Sequence, residues 1–368
     1  MKKLLLIMIT AVALYSCNST PSYTVKGKVD LPDAEGAQVL LTLTENRVTT
    51  TVDSATVASG SFEFKGSVEQ PKMYSIRVTV AEKPTKVDFA LENAEINVTI
   101  DPNGSKVSGT PTNDTYQQYQ DQLAVINQQM IDASNQYRKL KEEGSLTPEA
   151  EEAISATMNK ANDEVFELGK KFGPANINSP TGQAVLRSIS YRLSAEELKA
   201  SIAGADSASM QTDVLKYIAE RADAMEKTAV GQKYTDLSYP TPEGSNIALS
   251  DYVGKNKVVL VDFWASWCGP CRRDMPNVVA AYKKYKNKGF EVVGVSLDRK
   301  KEDWVKGIAD LGITWPQMSD VKYWDSEAVK IYGVGSIPHM MLIDKDGTII
   351  ARGIHGADLD AMLADLLK

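Results

Sequence analysis

Cys268 and Cys271 stand two residues apart where a strand-like run gives way to a helical pattern. The run Val258 to Phe263 is apolar, and Met275, Val278, Val279, Tyr282 and Tyr285 then recur at helical spacing. A strand that delivers Cys-x-x-Cys to the start of a helix makes a redox-active dithiol. The helix N-terminus favours negative charge, so Cys268 is the expected thiolate nucleophile. Cys271, one turn further on, is placed to close a disulfide and release whatever was attacked. Half of a zinc site is the competing use of such a pair, but no second Cys-x-x-Cys or His pair accompanies it.

The pattern around this pair continues as alternating strands and helices after Gly231. Strands are expected at Val258–Phe263, Glu291–Leu297, Met340–Ile343 and Thr348–Arg352. Helices are expected at Cys271–Lys286, Asp303–Leu311, Asp325–Tyr332 and Asp358–Leu367. Such βα units, closed by a hairpin and a helix, describe a central sheet flanked by helices. Upstream, Tyr23 to about Ile100 alternates apolar and polar residues with a period of two, as in Val39, Leu41, Leu43 and again Ile96, Val98, Ile100. Pro32-Asp33, Ser59-Gly60 and Asp101-Pro102-Asn103-Gly104 punctuate these runs, which argues for an antiparallel sandwich or small barrel. From Thr115 to about Lys227 the period becomes helical. Thr147-Pro148 marks one helix start and Ser194-Ala195-Glu196-Glu197 a capping box. This stretch carries no catalytic cluster and reads as a spacer or a partner-binding surface. The expected organisation is multidomain: a β-rich antiparallel sandwich over 23–110, a helical middle over 111–230 and an α/β domain over 231–368.

Composition narrows the chemistry. Two histidines, His339 and His355, make a His-based metal site or a Ser-His-Asp triad improbable, and no metal is expected. A net charge of −7 without a basic run gives no sign of nucleic acid binding. The chain starts with Lys2-Lys3 and the apolar run Leu4 to Leu14, a signal-peptide pattern too short to span a membrane. The end of that run, Leu14-Tyr15-Ser16-Cys17, resembles the lipobox of bacterial lipoproteins. The resemblance implies a signal peptide over 1–16, a lipid on Cys17, a tether over 17–22, and a periplasmic place anchored to the cell membrane or outer membrane. An ordinary secretory signal containing a cysteine is the alternative. With Cys17 lipidated, Cys268 and Cys271 are the only thiols left.

The C-terminal part resembles thioredoxin over about 130 residues. Val261-Asp262-Phe263-Trp264-Ala265 precedes Trp267-Cys268-Gly269-Pro270-Cys271, Pro276 follows five residues on, and Gly335-Ser336-Ile337-Pro338 precedes a strand, with Gly356 before the last helix. The insertion Lys300 to Trp324 and the approach Asn246 to Tyr252 are similar to the extracytoplasmic TlpA/ResA-like reductases. A peroxiredoxin would need Thr-x-x-Cys, which Ala265-Ser266-Trp267-Cys268 does not supply. The first hundred residues resemble a domain of unknown function found before thioredoxin domains in Bacteroidetes-type lipoproteins.

The resemblance implies catalytic roles for Cys268, Cys271, Asp262, Trp267 and Pro338. It places the substrate against Trp267, Ile337, Pro338 and Gly356, with a cis bond before Pro338 and Trp267 shielding the reactive sulfur. It calls for no cofactor. Asp262 also stands out by itself: a carboxylate in an apolar run points to a raised pKa and proton transfer, unless a hydrogen bond satisfies it. Two positions depart from thioredoxin. Gly294 stands where a lysine neighbours the buried Asp, and His339 follows Pro338, either as a titrating neighbour of Cys268 or as an idle surface residue. The expected function is reduction of protein disulfides outside the cytoplasm. The expected partners are protein disulfide or dithiol substrates and a membrane electron donor of the DsbD/CcdA type. A disulfide oxidase or isomerase, or a ligand-binding lipoprotein that keeps the domain as scaffold, are the other readings.

Overall fold

The structure, a computed structural model, describes residues 21–45 and 47–368. The expected signal peptide, the lipid site at Cys17 and most of the tether lie outside them. The chain divides into two units within one long helix, between Gln128 and Gln129.

In the first unit the alternating runs become eight strands. These are β1 (Tyr23–Val29), β2 (Gln38–Glu45), β3 (Val48–Thr56), β4 (Ser61–Gly66), β5 (Lys72–Val80), β6 (Lys83–Leu91), β7 (Glu95–Asp101) and β8 (Gly104–Ser108). They form two four-stranded sheets, ordered β4-β1-β7-β8 and β3-β2-β5-β6. The inward residues of both, among them Val25, Phe64, Ile96 and Val98 from one and Leu41, Ile76 and Phe89 from the other, share one core. This is the expected sandwich, with one difference. β1 and β7 run parallel, Val25 opposite Ile96 and Gly27 opposite Val98. A period of two is the same in parallel and antiparallel strands, so alternation could not reveal this; the excursion through β2 to β6 supplies the crossover a parallel pair needs.

The helical stretch forms α1 (Pro111–Glu142), α2 (Pro148–Ala175), α3 (Pro180–Ile189), α4 (Ala195–Ile202) and α5 (Asp213–Lys227). The hydroxyl of Thr147 caps α2 and Pro148 opens it, while Ser194 and Glu197 form the reciprocal capping box of α4. Leu186, Leu198, Leu215, Ile218 and Ala222 hold α3, α4 and α5 together.

The last part contains β9 (Ser238–Pro240), β10 (Asn246–Ala248), β11 (Val258–Trp264), α6 (Gly269–Tyr285), β12 (Phe290–Ser296), α7 (Lys301–Asp310), β13 (Gln317–Met318), α8 (Glu327–Tyr332), β14 (His339–Asp344), β15 (Ile349–Ile354) and α9 (Gly356–Leu366). The sheet order is β13-β12-β11-β14-β15, parallel from β13 to β11 and antiparallel beyond. This is the thioredoxin-like α/β arrangement. Every residue of β11 is buried, as expected of a central strand covered on both faces. Two- and three-residue strands such as β13 and β9 leave no periodicity and were not foreseen. Helix α6 begins at Gly269, not at Cys271, which puts Cys268 at the cap itself.

Candidate active site

Strand β11 ends at Trp264, and the next three residues set the position of the dithiol. The N–H and hydroxyl of Ser266 both donate to Asp298, the hydroxyl at 2.6 Å, and Ser296 adds a third donor at 2.8 Å. With this loop pinned, Cys268 donates its N–H to Ala265 O at 3.1 Å and caps α6. Its sulfur accepts the N–H of Cys271 at 3.1 Å, and Pro270 sits in the first turn, where a missing N–H costs nothing. Cys268 and Cys271 are joined as a disulfide, with Cα atoms 5.2 Å apart. Across from them the Ile337–Pro338 bond is cis, and the Ile337 carbonyl lies 3.6 Å from Cys268 Sγ. The site thus brings together Cys268, Cys271, Ile337 and Pro338. Trp267 stands beside them, 46% exposed.

Two buried acids lie at this end of the sheet, and they differ. Asp298 accepts the three donors just described. Asp262 accepts none: both its carboxylate oxygens are buried without a hydrogen-bond partner among the described residues. Burial raises its pKa to about 7, and the charge of Asp274, three residues beyond Cys271 on α6, pushes it the same way. The satisfied structural aspartate is therefore Asp298, while Asp262 is poised to exchange a proton near neutral pH. Opposite Asp262 in the ladder stands Gly294, as expected. A neutral amide, not a cation, occupies the space over it. A Cβ on Gly294 would lie 2.1 Å from Nε2 of Gln317, whose Oε1 instead accepts the Trp264 indole N–H at 2.9 Å.

His339 fits neither expectation. Its ring packs edge-on to Phe263, with centroids 6.1 Å apart, and its Nε2 is buried without a partner among the described residues. Burial, with Arg352 and Arg221 nearby, depresses its pKa to about 3, so it stays neutral through the physiological range and is no titrating neighbour of Cys268. Gly356 is buried at the start of α9. Its N–H donates to Asp274 at 2.8 Å, and a Cβ there would lie 2.6 Å from that carboxylate, so its place is the close approach of α9 to α6. A cavity of about 240 Å³ lies nearby, lined by Pro270, Arg273, Asp274, Pro338 and His355.

Several residues here escaped the sequence. Trp267 meets Tyr323 at 5.1 Å and Trp324 at 6.5 Å between centroids, and the Arg299 guanidinium stacks 4.0 Å over Tyr323. Val321 and Tyr323 both adopt positive φ, 50° and 59°, an unusual conformation for such side chains. The adjacent aromatics of the Lys300–Trp324 insertion were the available signal. Asp298 and Gln317 had none.

Residues 230–352 match the AhpC/TSA family and residues 23–116 match a domain of unknown function, DUF4369. The thiol-disulfide oxidoreductase ResA of Bacillus thuringiensis subsp. konkukian is 33% identical over 143 residues, which cover 39% of this chain and 79% of the relative. The chain belongs to the ResA-like thiol–disulfide oxidoreductases. The ResA of Geobacillus thermodenitrificans is 36% identical over 126 residues, 34% of this chain and 70% of that one. Among solved structures, the thioredoxin domain of a thiol-disulfide oxidoreductase from Bacteroides vulgatus is 33% identical and aligns with 38% of this chain and 99% of that one, at a TM-score of 0.36. This ResA-like enzyme has Ala265 where a peroxiredoxin nucleophile motif needs threonine.

Proposed function

We propose that this enzyme works as a reductase of protein disulfides outside the cytoplasm, anchored to a membrane through a lipid on Cys17. The Cys268 thiolate attacks one sulfur of a substrate disulfide, forming a mixed disulfide and expelling the other sulfur as a thiolate. Asp262, acting through water, takes the proton of Cys271. Cys271 then attacks Cys268 Sγ, the second substrate thiolate leaves, and the Cys268–Cys271 disulfide remains. Two electrons pass to the substrate. Restoring the dithiol calls for a membrane donor of the DsbD/CcdA type, because the bacterial periplasm is kept oxidising.

The observation that carries the direction is what surrounds the Cys268 sulfur. Among the described residues it accepts a single amide N–H, from Cys271, and has no cationic side chain among its hydrogen-bond partners. A thiolate with so little added stabilisation does not destabilise the disulfide strongly, which favours a reducing potential. Arg221 and Arg352 supply the argument for the second reading. They are cations behind the Pro338 loop without an acidic partner among the described residues, and positive potential there favours the thiolate of an oxidase or isomerase. Equilibration in glutathione and dithiothreitol buffers with thiol trapping decides between them. A midpoint near the thioredoxin value of about −270 mV supports the reductase, and one near the DsbA value of about −120 mV overturns it.

A further inference from the structure

Arg221, on α5, has no part in the exchange chemistry described so far. It is 6% exposed, and its bonds go to backbone carbonyls: Nε donates to Gly333 O at 3.1 Å and one terminal nitrogen to Ser190 O at 2.7 Å. Ser190 follows α3 in the helical region. Gly333 closes α8 and opens the segment that runs to Ile337 and Pro338 beside Cys268. One rigid guanidinium therefore joins the helical region to the base of the active-site loop. A buried cation with no anion beside it is unfavourable, so this one requires another reason to be there.

Gly335 carries the second half of the argument. Its φ is not left-handed, so its backbone conformation does not ask for glycine. What excludes a side chain is Arg221: a Cβ on Gly335 would lie 2.6 Å from the guanidinium nitrogen and 2.9 Å from Cζ. Nε would lie 3.0 Å from the same Cβ, so the guanidinium fills the space a side chain at Gly335 would need. From β15, Arg352 donates to the carbonyl of Tyr332, the residue before Gly333, and to Thr228 O at 2.9 Å at the end of α5. Two consecutive carbonyls at the root of the loop are thus held by two arginines, both tied to α5. The AhpC/TSA match begins at residue 230, after α5 has ended.

We propose that Arg221 is a positioning residue for thiol–disulfide exchange, fixing the segment Gly333–Pro338 so that the Ile337 carbonyl and Pro338 meet the substrate beside Cys268. The helical region then acts as a brace for the active-site loop and not as a spacer. The inference rests on the exchange activity and is independent of its direction.

The full chain is assayed with a fluorogenic peptide disulfide and dithiothreitol, at a temperature where circular dichroism finds each variant folded. Arg221→Met should raise KM about tenfold and leave kcat within about twofold, because misplacement at a binding loop weakens productive docking without touching the sulfur chemistry. Arg221→Lys, which can still reach Gly333 O, should fall between. Gly335→Ala should raise KM about as much by itself and add less than about twofold to Arg221→Met, since the group it would strike is gone. A lowered melting temperature with unchanged KM, or additive effects of the two substitutions, overturns the proposal. If Arg221→Met does not fold, Gly335→Ala decides it: a raised KM supports the brace and an unchanged KM refutes it. The redox midpoint, which tests the reductase reading, is a separate measurement.

Discussion

Replacing Asp262 with asparagine should make the catalytic domain more stable and less active, with the gain in stability absent below about pH 4 and complete above about pH 7. The carboxyl has a pKa of about 7 in the folded chain, against an ordinary value of 3.8. Between those values the folded state holds a proton that the unfolded state has released, so stability falls as pH rises from about 4 to about 7 and changes little above. At about 1.36 kcal/mol per tenfold change in proton affinity, the ionised carboxylate costs the fold about 4 kcal/mol. The asparagine side chain has a similar shape and never ionises. The variant's advantage over the parent should therefore be near zero at pH 4 and reach about 4 kcal/mol by pH 8. The assay is guanidinium chloride unfolding of the oxidised protein at a series of pH values, followed by tryptophan fluorescence. All five tryptophans, Trp264, Trp267, Trp304, Trp315 and Trp324, lie in the C-terminal domain, so the signal reports that domain alone. Turnover should drop about a hundredfold, the usual order for loss of a general base. A constant separation between the two unfolding midpoints from pH 4 to pH 9 would refute the reasoning, because it would mean that Asp262 is not held protonated by burial.

Other outcomes follow from the same geometry. Cys271→Ser should accumulate substrates as mixed disulfides on Cys268, seen as reductant-sensitive adducts by mass spectrometry; adducts that form equally on a Cys268→Ser variant with Cys271 intact would reverse the two roles. Gly294→Ala should lower stability by about 1–3 kcal/mol, since the added methyl displaces the Gln317 amide and strands the Trp264 indole N–H, and the shift is read in the denaturation midpoint. Cys17→Ser should release the protein from the membrane fraction, and unchanged sedimentation with membranes rules out the lipid anchor.

What could be read from the sequence was what is local. The dithiol, its cap and the helix behind it occupy one short run, and the apolar stretch around Asp262 announced an acid out of place. Pro338 and Ile337 were reachable only through the resemblance, because nothing in their own neighbours says that they end 3.6 Å from Cys268. The rest depends on long-range partners. Arg221 looks like one more charge on an amphipathic helix, yet its acceptor is 112 residues away. His339 looks like a titratable neighbour, and only the packed ring of Phe263 and the two arginines explain why it stays neutral. The parallel pairing of β1 with β7 was invisible for a similar reason: side-chain alternation encodes which face is buried, not which strand lies alongside.

Three of the side chains whose polar atoms the fold leaves unsatisfied, among the described residues, share one sheet. Both oxygens of Asp262, Nε2 of Gln317 and Nε2 of His339 are buried without partners, and all three residues lie on strands of one sheet. The Arg221 and Arg352 guanidinium groups lie behind the Pro338 loop and bond to backbone carbonyls, with no acid beside them among the described residues. Unpaired buried groups each cost free energy, and a domain with no use for them would pair or replace them. Asp298 demonstrates that pairing was available at this end of the sheet, since three donors satisfy it. On the proposed mechanism the contrast between the two aspartates has a use: Asp298 holds the Cys268 loop still, and Asp262, ionised near neutral pH, is free to take the proton of Cys271. Gly294, opposite Asp262 in the ladder, keeps that contrast in place: any side chain there, a hydrogen-bond donor included, would first strike Gln317, whose Nε2 lies 2.1 Å from where its Cβ would be.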